Sequence, residues 1–160
     1  MGPEISPIPP AARALQGERA GLVSRLLANT VDFCIVVAAV VGLYLAVAAL
    51  RFLWSSRTFT FPAPAFGVLL LVGAAVMVGY LTASWTAVGR TYGDHLLGLR
   101  VVASSGRPLS LRRALARAVL CVLFPIGLFW VVFSRENRSV QDVLVRSSVV
   151  YDWSRHGRFQ

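Results

Sequence analysis

From Phe33 to Leu50 the chain runs almost without a break through apolar residues, and Asp32 stands at the head of that run, inside Gly21-Leu22-Val23-Ser24-Arg25-Leu26-Leu27-Ala28-Asn29-Thr30-Val31-Asp32. A bilayer crossing takes roughly 20 apolar residues, so this segment is long enough to span a membrane. An ionised carboxylate inside a span costs roughly 2.5–3.5 kcal/mol on insertion scales, and such a group faces protein or a cavity and finds a partner there. Asp32 therefore marks a working or structural centre.

With 56% hydrophobic and 14% charged residues among 160, the chain reads as one integral membrane domain. Every one of its 16 basic residues is arginine, which points to a GC-rich genome as much as to a binding role. The net charge of +9 sits on arginines that flank the apolar segments. Without interleaved aromatics on a soluble face, that pattern favours anionic lipid headgroups over nucleic acid as counter-charge. Cys34 and Cys121 lie in separate apolar stretches without metal-ligand spacing and read as packing residues.

Residues 1–19 are proline-rich and read as a flexible tail, residues 20–153 as the membrane domain, and residues 154–160 as a basic C-terminal tail. The first apolar run is too long for a cleaved signal peptide and reads as a signal anchor. Spans are expected from Leu22 to Trp54 and from Phe66 to Trp85, forming an antiparallel pair. Trp54 and Trp85 suit interfacial belts. Within the second span Ala75, Gly79 and Ala83 recur every four residues, a small-residue face that lets another helix approach.

A third apolar stretch, 118–133, is short and broken by Pro125-Ile126-Gly127, so it either dips in and returns or crosses. The re-entrant alternative puts every arginine except Arg51 and Arg57 on one side, and the positive-inside rule then makes both termini cytoplasmic. Leu99-Arg100-Val101-Val102, followed by a Ser105-Gly106-Arg107-Pro108 turn, and Ser148-Val149-Val150-Tyr151 are β-branched runs that pair only on a shared side. The expected fold is thus an all-α membrane protein with two transmembrane helices, a third re-entrant or transmembrane segment and a small cytoplasmic hairpin-like pairing. Between the strands, Ser110 caps a helix with Leu111, Ala114, Leu115 and Ala118 on one face. Arg112, Arg113 and Arg117 elsewhere on it suit an interfacial helix on acidic headgroups, or simply the flank of the third segment.

Arg25, Asn29 and Asp32 fall at i, i+4 and i+7, one polar seam on a helix, with Arg25 roughly 10 Å from Asp32 along the axis. Asn29 stands between them as a relay, and Asp142 is the natural partner for Arg25. An arginine opening the first span, an aspartate inside it and a late aspartate before a strand resemble the RDD family of small membrane proteins. The likeness spans residues 20–153 and takes in Gly89-Arg90-Thr91-Tyr92-Gly93, Leu96 to Val102, Gly106, Pro108, Arg112 to Arg117, and Gln141-Asp142 through Val150. It implies that Arg25, Asp32 and Asp142 are the name-giving positions. Asp94 replaces a common lysine, and Gln141 replaces a common histidine and so cannot carry protons.

Gly89, Thr91 and Gly93 form a turn leaving the membrane, or a gate, since no phosphate-loop lysine follows. His95 and His156 lack ligand partners, and no nucleophile motif is present, so neither a metal, a cofactor nor an enzyme is expected. The resemblance implies a transport-related protein of a bacterial plasma membrane, proton- or ion-coupled and homo-oligomeric, because two spans make a thin wall. The competing expectation is an accessory subunit of a larger transport complex, such as an actinobacterial lipid importer of the mammalian-cell-entry type. A lipid sensor or scaffold without a pore is the third.

Overall fold

The structure, a computed structural model, describes residues 16–104, 106–134 and 138–153. Helix α1 is Leu22–Trp54 and helix α2 is Phe66–Ala87. Neither contains proline, and Arg51 in the last turn of α1 complements the negative end of its dipole. At about 1.5 Å per residue they extend roughly 50 Å and 33 Å, against a hydrocarbon layer of about 30 Å. These are the two helices long and apolar enough to cross a membrane among the described residues.

Proline-containing loop residues join them at the far end, where Tyr44 donates its hydroxyl to the Pro62 carbonyl at 3.0 Å. Phe52, Phe59 and Phe61 pack edge to face beside it. Along the outer halves of both helices Val37, Val41, Leu45, Leu50, Val68 and Leu71 are exposed. Burial concentrates at the other end, around Arg25, Ala28, Asp32 and Val36 of α1 and Leu81, Thr82 and Trp85 of α2.

That end carries the rest of the chain: α3 (Tyr92–Leu96), β1 (Leu99–Ala103), α4 (Leu111–Leu123), a 3-10 turn at Pro125–Phe129, α5 (Trp130–Phe133), α6 (Val140–Val145) and β2 (Ser147–Tyr151). The strands pair antiparallel with Leu99 opposite Tyr151 and Val101 opposite Val149, as their β-branched composition led us to expect. On the opposite edge of β2, residues 17–20 run alongside and form an isolated antiparallel bridge, Arg19 to Val150. Gly17 N–H donates to the Tyr151 carbonyl, Tyr151 N–H to that of Glu18, and Ala20 N–H to that of Val149, each at 2.9 Å. The boundary placed after residue 19 is therefore too late, because residues 16–19 already belong to the folded unit. The tail calls for residues 1–15 and 154–160 lie outside the described residues.

The sheet is built from two copies of one local design. Thr91 caps α3 and bonds reciprocally with Asp94, the left-handed Gly98 (φ +64) closes the helix, and β1 follows at once. At identical spacing Ser139 caps α6 with Asp142, the left-handed Arg146 (φ 55) closes it, and β2 follows. In each copy the capping box satisfies free backbone donors that a one-turn helix otherwise leaves open. Val101 and Val149 occupy equivalent positions in the two copies and face each other across the sheet, so a local two-fold axis passes between them.

The third apolar stretch is divided. Pro125 disfavours helical backbone at Phe124, which leaves the helical region (φ −133, ψ 61) and ends α4. Gly127 then allows a turn so tight that a Cβ there lies 2.8 Å from the Phe124 ring. The following α6 packs on both α4 and the 3-10 turn and leads directly into β2.

The Ala75, Gly79 and Ala83 face of α2 stays exposed within the chain, and an added Cβ on Gly79 meets nothing within 4 Å. Close helix packing instead uses the fully buried Ala114 and Ala118 of α4 against Leu81 and Trp85 of α2. Accordingly the inward face of α4 is Ala114, Arg117 and Ala118, while Leu111 and Leu115 point outward.

Candidate functional site

Two buried carboxylates organise the crowded end, and they are held in different ways. Asp142, fully buried, accepts on one oxygen from Arg117 Nη2 at 2.8 Å, Arg117 Nε at 3.3 Å and Ser147 Oγ at 3.2 Å. Its other oxygen accepts from Arg25 Nη1 and from the Ser139 N–H. Burial alone pushes this carboxyl up, but the guanidiniums of Arg117 and Arg25 outweigh it and hold the group well below the usual carboxylate range. Arg25 is fixed further by donating Nε to the Ala20 carbonyl at 3.1 Å, and Arg117 lies over the Trp85 ring, 4.3 Å from its centroid. This hub ties α1, α4, α6 and β2 together.

Asp32 has no ion pair among the described residues. Its carboxylate accepts from Thr91 Oγ1 at 2.6 Å, Tyr80 Oη at 2.8 Å and the Gly93 N–H at 2.9 Å, all neutral donors. The approach is possible because residue 93 is glycine: a Cβ there lies 2.2 Å from the Ala28 carbonyl oxygen, inside any van der Waals contact. Tyr80 Oη also accepts from the Tyr92 N–H at 3.0 Å, so the phenol bridges α2, α3 and Asp32.

Asp94 stands between the two centres. One of its oxygens accepts from the Thr91 N–H at 3.1 Å and from Trp85 Nε1 at 3.3 Å, and Trp85 carries Arg117 on its face. Asp32, Asp94, Arg25, Arg117 and Gln141 all line a cavity of about 320 Å³, whose apolar wall is the 3-10 turn after Pro125.

The expected Arg25–Asp142 pair is formed. Asn29, the expected relay, makes no hydrogen bond among the described residues and sits exposed at the cavity edge. Thr30 turns its hydroxyl back to the Leu26 carbonyl. Of the three arginines assigned to headgroups, Arg112 and Arg113 are exposed, whereas Arg117 is buried in the Asp142 hub. Gly89, left-handed at φ +77, hands α2 to β1 by accepting from the Val101 N–H at 2.8 Å, and Thr91 and Gly93 are direct partners of Asp32. Tyr80, Trp85 and Asp94 were not anticipated, although Thr91-x-x-Asp94 is a legible capping box. Nor was Asp152, a further buried acid that accepts from Arg100 Nη1 at 3.1 Å, from Arg90 Nη2 at 3.5 Å and from Gln16 Nε2 at 3.1 Å.

No curated protein matched the chain, and no solved structure did. The family model described as RDD family matches residues 19–146, which contain Arg25, Asp32, Asp142 and every residue lining the cavity except Val149. This membrane protein belongs to the RDD family.

Proposed function

We propose that the protein is a transport-related, non-enzymatic protein of a bacterial plasma membrane, in which Asp32 alternately holds a proton or a cation. The observation that carries this reading is the contrast between the two acids. Asp142 is saturated by two guanidiniums, whereas Asp32 is held by neutral donors beside a cavity. Neutral hydroxyls reorient as a carboxylate gains or loses its proton, a freedom that a guanidinium clamp lacks. Arg25 and Asp142 then brace the cytoplasmic mouth.

The packing of α6 on α4 and on the turn after Pro125 supports a re-entrant 118–133 segment, and the hydrogen bonds between residues 17–20 and β2 support termini on one side, the cytoplasmic one. Two spans enclose little, so the reading includes a homo-oligomer in which the exposed Ala75, Gly79 and Ala83 face meets another copy. The protein reconstituted in liposomes is expected to dissipate an imposed proton gradient when a cation gradient is applied. Proton flux equal to that of empty liposomes rejects the reading.

The saturated Asp142 hub favours one alternative, an accessory subunit of a larger membrane complex whose buried charges serve only stability. Gentle extraction of the tagged protein from its native membrane separates the two. Co-purification of other subunits at fixed stoichiometry establishes the accessory role, and a homo-oligomer alone removes it.

A further inference from the structure

We infer that the cavity beside Asp32 is a binding site for a small organic ammonium with an apolar body, which names a cargo class for the transport reading and rests on it. Three observations converge. First, the charged groups lining the cavity are Arg25 and Arg117 against Asp32 and Asp94, and both guanidiniums are already engaged by Asp142, which lies outside the lining. A cation is therefore the complementary guest.

Second, one buried acceptor is left over. Gln141, 2% exposed, lines the cavity and donates Nε2 to the Phe124 carbonyl at 2.7 Å, which fixes its Oε1 as an acceptor, and that oxygen has no partner among the described residues. Asp94 likewise carries its bonds on a single oxygen. An ammonium bears the N–H donors these oxygens lack.

Third, the space is too large and too apolar for a bare ion. About 320 Å³ holds the equivalent of some ten waters at about 30 Å³ each. No group of three His, Cys, Asp or Glu among the described residues is placed to hold a metal. The lining also includes Pro125, Ile126, Leu128 and Phe129 of the 3-10 turn, together with Trp85. A few placed polar groups beside an apolar wall is the make-up of a site for an organic guest. The ammonium belongs to a free amine or to an aminophospholipid headgroup, two sources with one chemistry.

The test is calorimetric titration of the full chain in phosphatidylcholine nanodiscs with 2-phenylethylammonium, and with 2-phenylethanol and 3-phenylpropionate as neutral and anionic matches. The ammonium is expected to bind at least tenfold more tightly than either match. Asp94→Asn and Gln141→Leu are each expected to weaken it tenfold or more, and because Gln141 lies outside both capping boxes, its variant remains informative if the Asp94 variant misfolds. Phosphatidylethanolamine in the nanodisc that competes with the probe identifies the lipid headgroup as the source, and lack of competition identifies a free amine. Absence of saturable ammonium binding, or equal binding of the alcohol, overturns the inference. Ammonium binding without flux in liposomes keeps the site and rejects the transport reading, while proton flux without ammonium binding does the reverse.

Discussion

Adding one methyl group at residue 93 tests the construction of the Asp32 site. In Gly93→Ala the new carbon lies 2.2 Å from the Ala28 carbonyl oxygen, 2.9 Å from its carbonyl carbon and 3.0 Å from Asp32 Cγ. These are backbone atoms of α1 and the acid itself, so no flexible side chain relieves the clash. To restore ordinary contact α3 must retreat by about 1 Å, which stretches the 2.9 Å Gly93–Asp32 bond beyond hydrogen-bonding range. Overpacking of this kind costs about 1–3 kcal/mol, and losing a hydrogen bond to a charged group about 1.5–3 kcal/mol more. A total near 3 kcal/mol or above lowers a thermal midpoint by roughly 6–12 °C in a chain of this size. Gly42→Ala in α1 is the matched control, because nothing lies within 4 Å of its new carbon. There, helix propensity alone predicts a gain of about 0.5–1 kcal/mol. Thermal unfolding of both variants in detergent, followed by circular dichroism, gives the comparison. Equal midpoints for the two, or a greater loss at Gly42, refutes the account of why residue 93 is glycine.

Other consequences follow from the same geometry. Asp142→Ala leaves two buried guanidiniums unpaired and is expected to cost about 3–5 kcal/mol, read as a loss of folded protein in size-exclusion profiles. Because the folded carboxyl of Asp142 sits below its unfolded value, its contribution is present above about pH 4 and is lost as the pH falls below that. An acid titration of wild-type unfolding that shows no such loss contradicts the assignment. Gly98→Ala drives a methyl to within 2.5 Å of the Trp153 ring at a left-handed backbone position and is expected to destabilise. At the equivalent Arg146, replacement by glycine relieves about 1–2 kcal/mol of left-handed strain and is expected to raise the midpoint.

Elements governed by local rules were legible in the sequence. Apolar length placed both spans, β-branched runs placed both strands in their observed pairing, and Pro125 placed the break after α4. The Arg25–Asp142 tie was legible because a buried arginine needs an acid and Asp142 stands before a strand on the same side. What escaped depends on which faces meet. Helical spacing made Arg117 one more surface arginine, and only the docking of α4 on α2 turns it over Trp85 toward Asp142. Small residues occur on both helices, so spacing could not choose Ala114 and Ala118 over Ala75 and Gly79. Asp32 appeared to belong to its own helix's seam, yet its partners come from residues 80 and 91–93, brought in by the turn at Gly89 and the absent side chain at Gly93.

The central claim is that the two acids do different work, and comparing Asp32→Asn with Asp142→Asn in liposomes tests it most directly. Asparagine at residue 32 keeps the shape and an acceptor oxygen for Tyr80 and Gly93 but cannot take up a proton or carry charge. The account predicts that Asp32→Asn accumulates and inserts like wild type while proton flux per molecule is abolished, and that Asp142→Asn instead loses folded protein. Full flux from Asp32→Asn at matched incorporation contradicts the account.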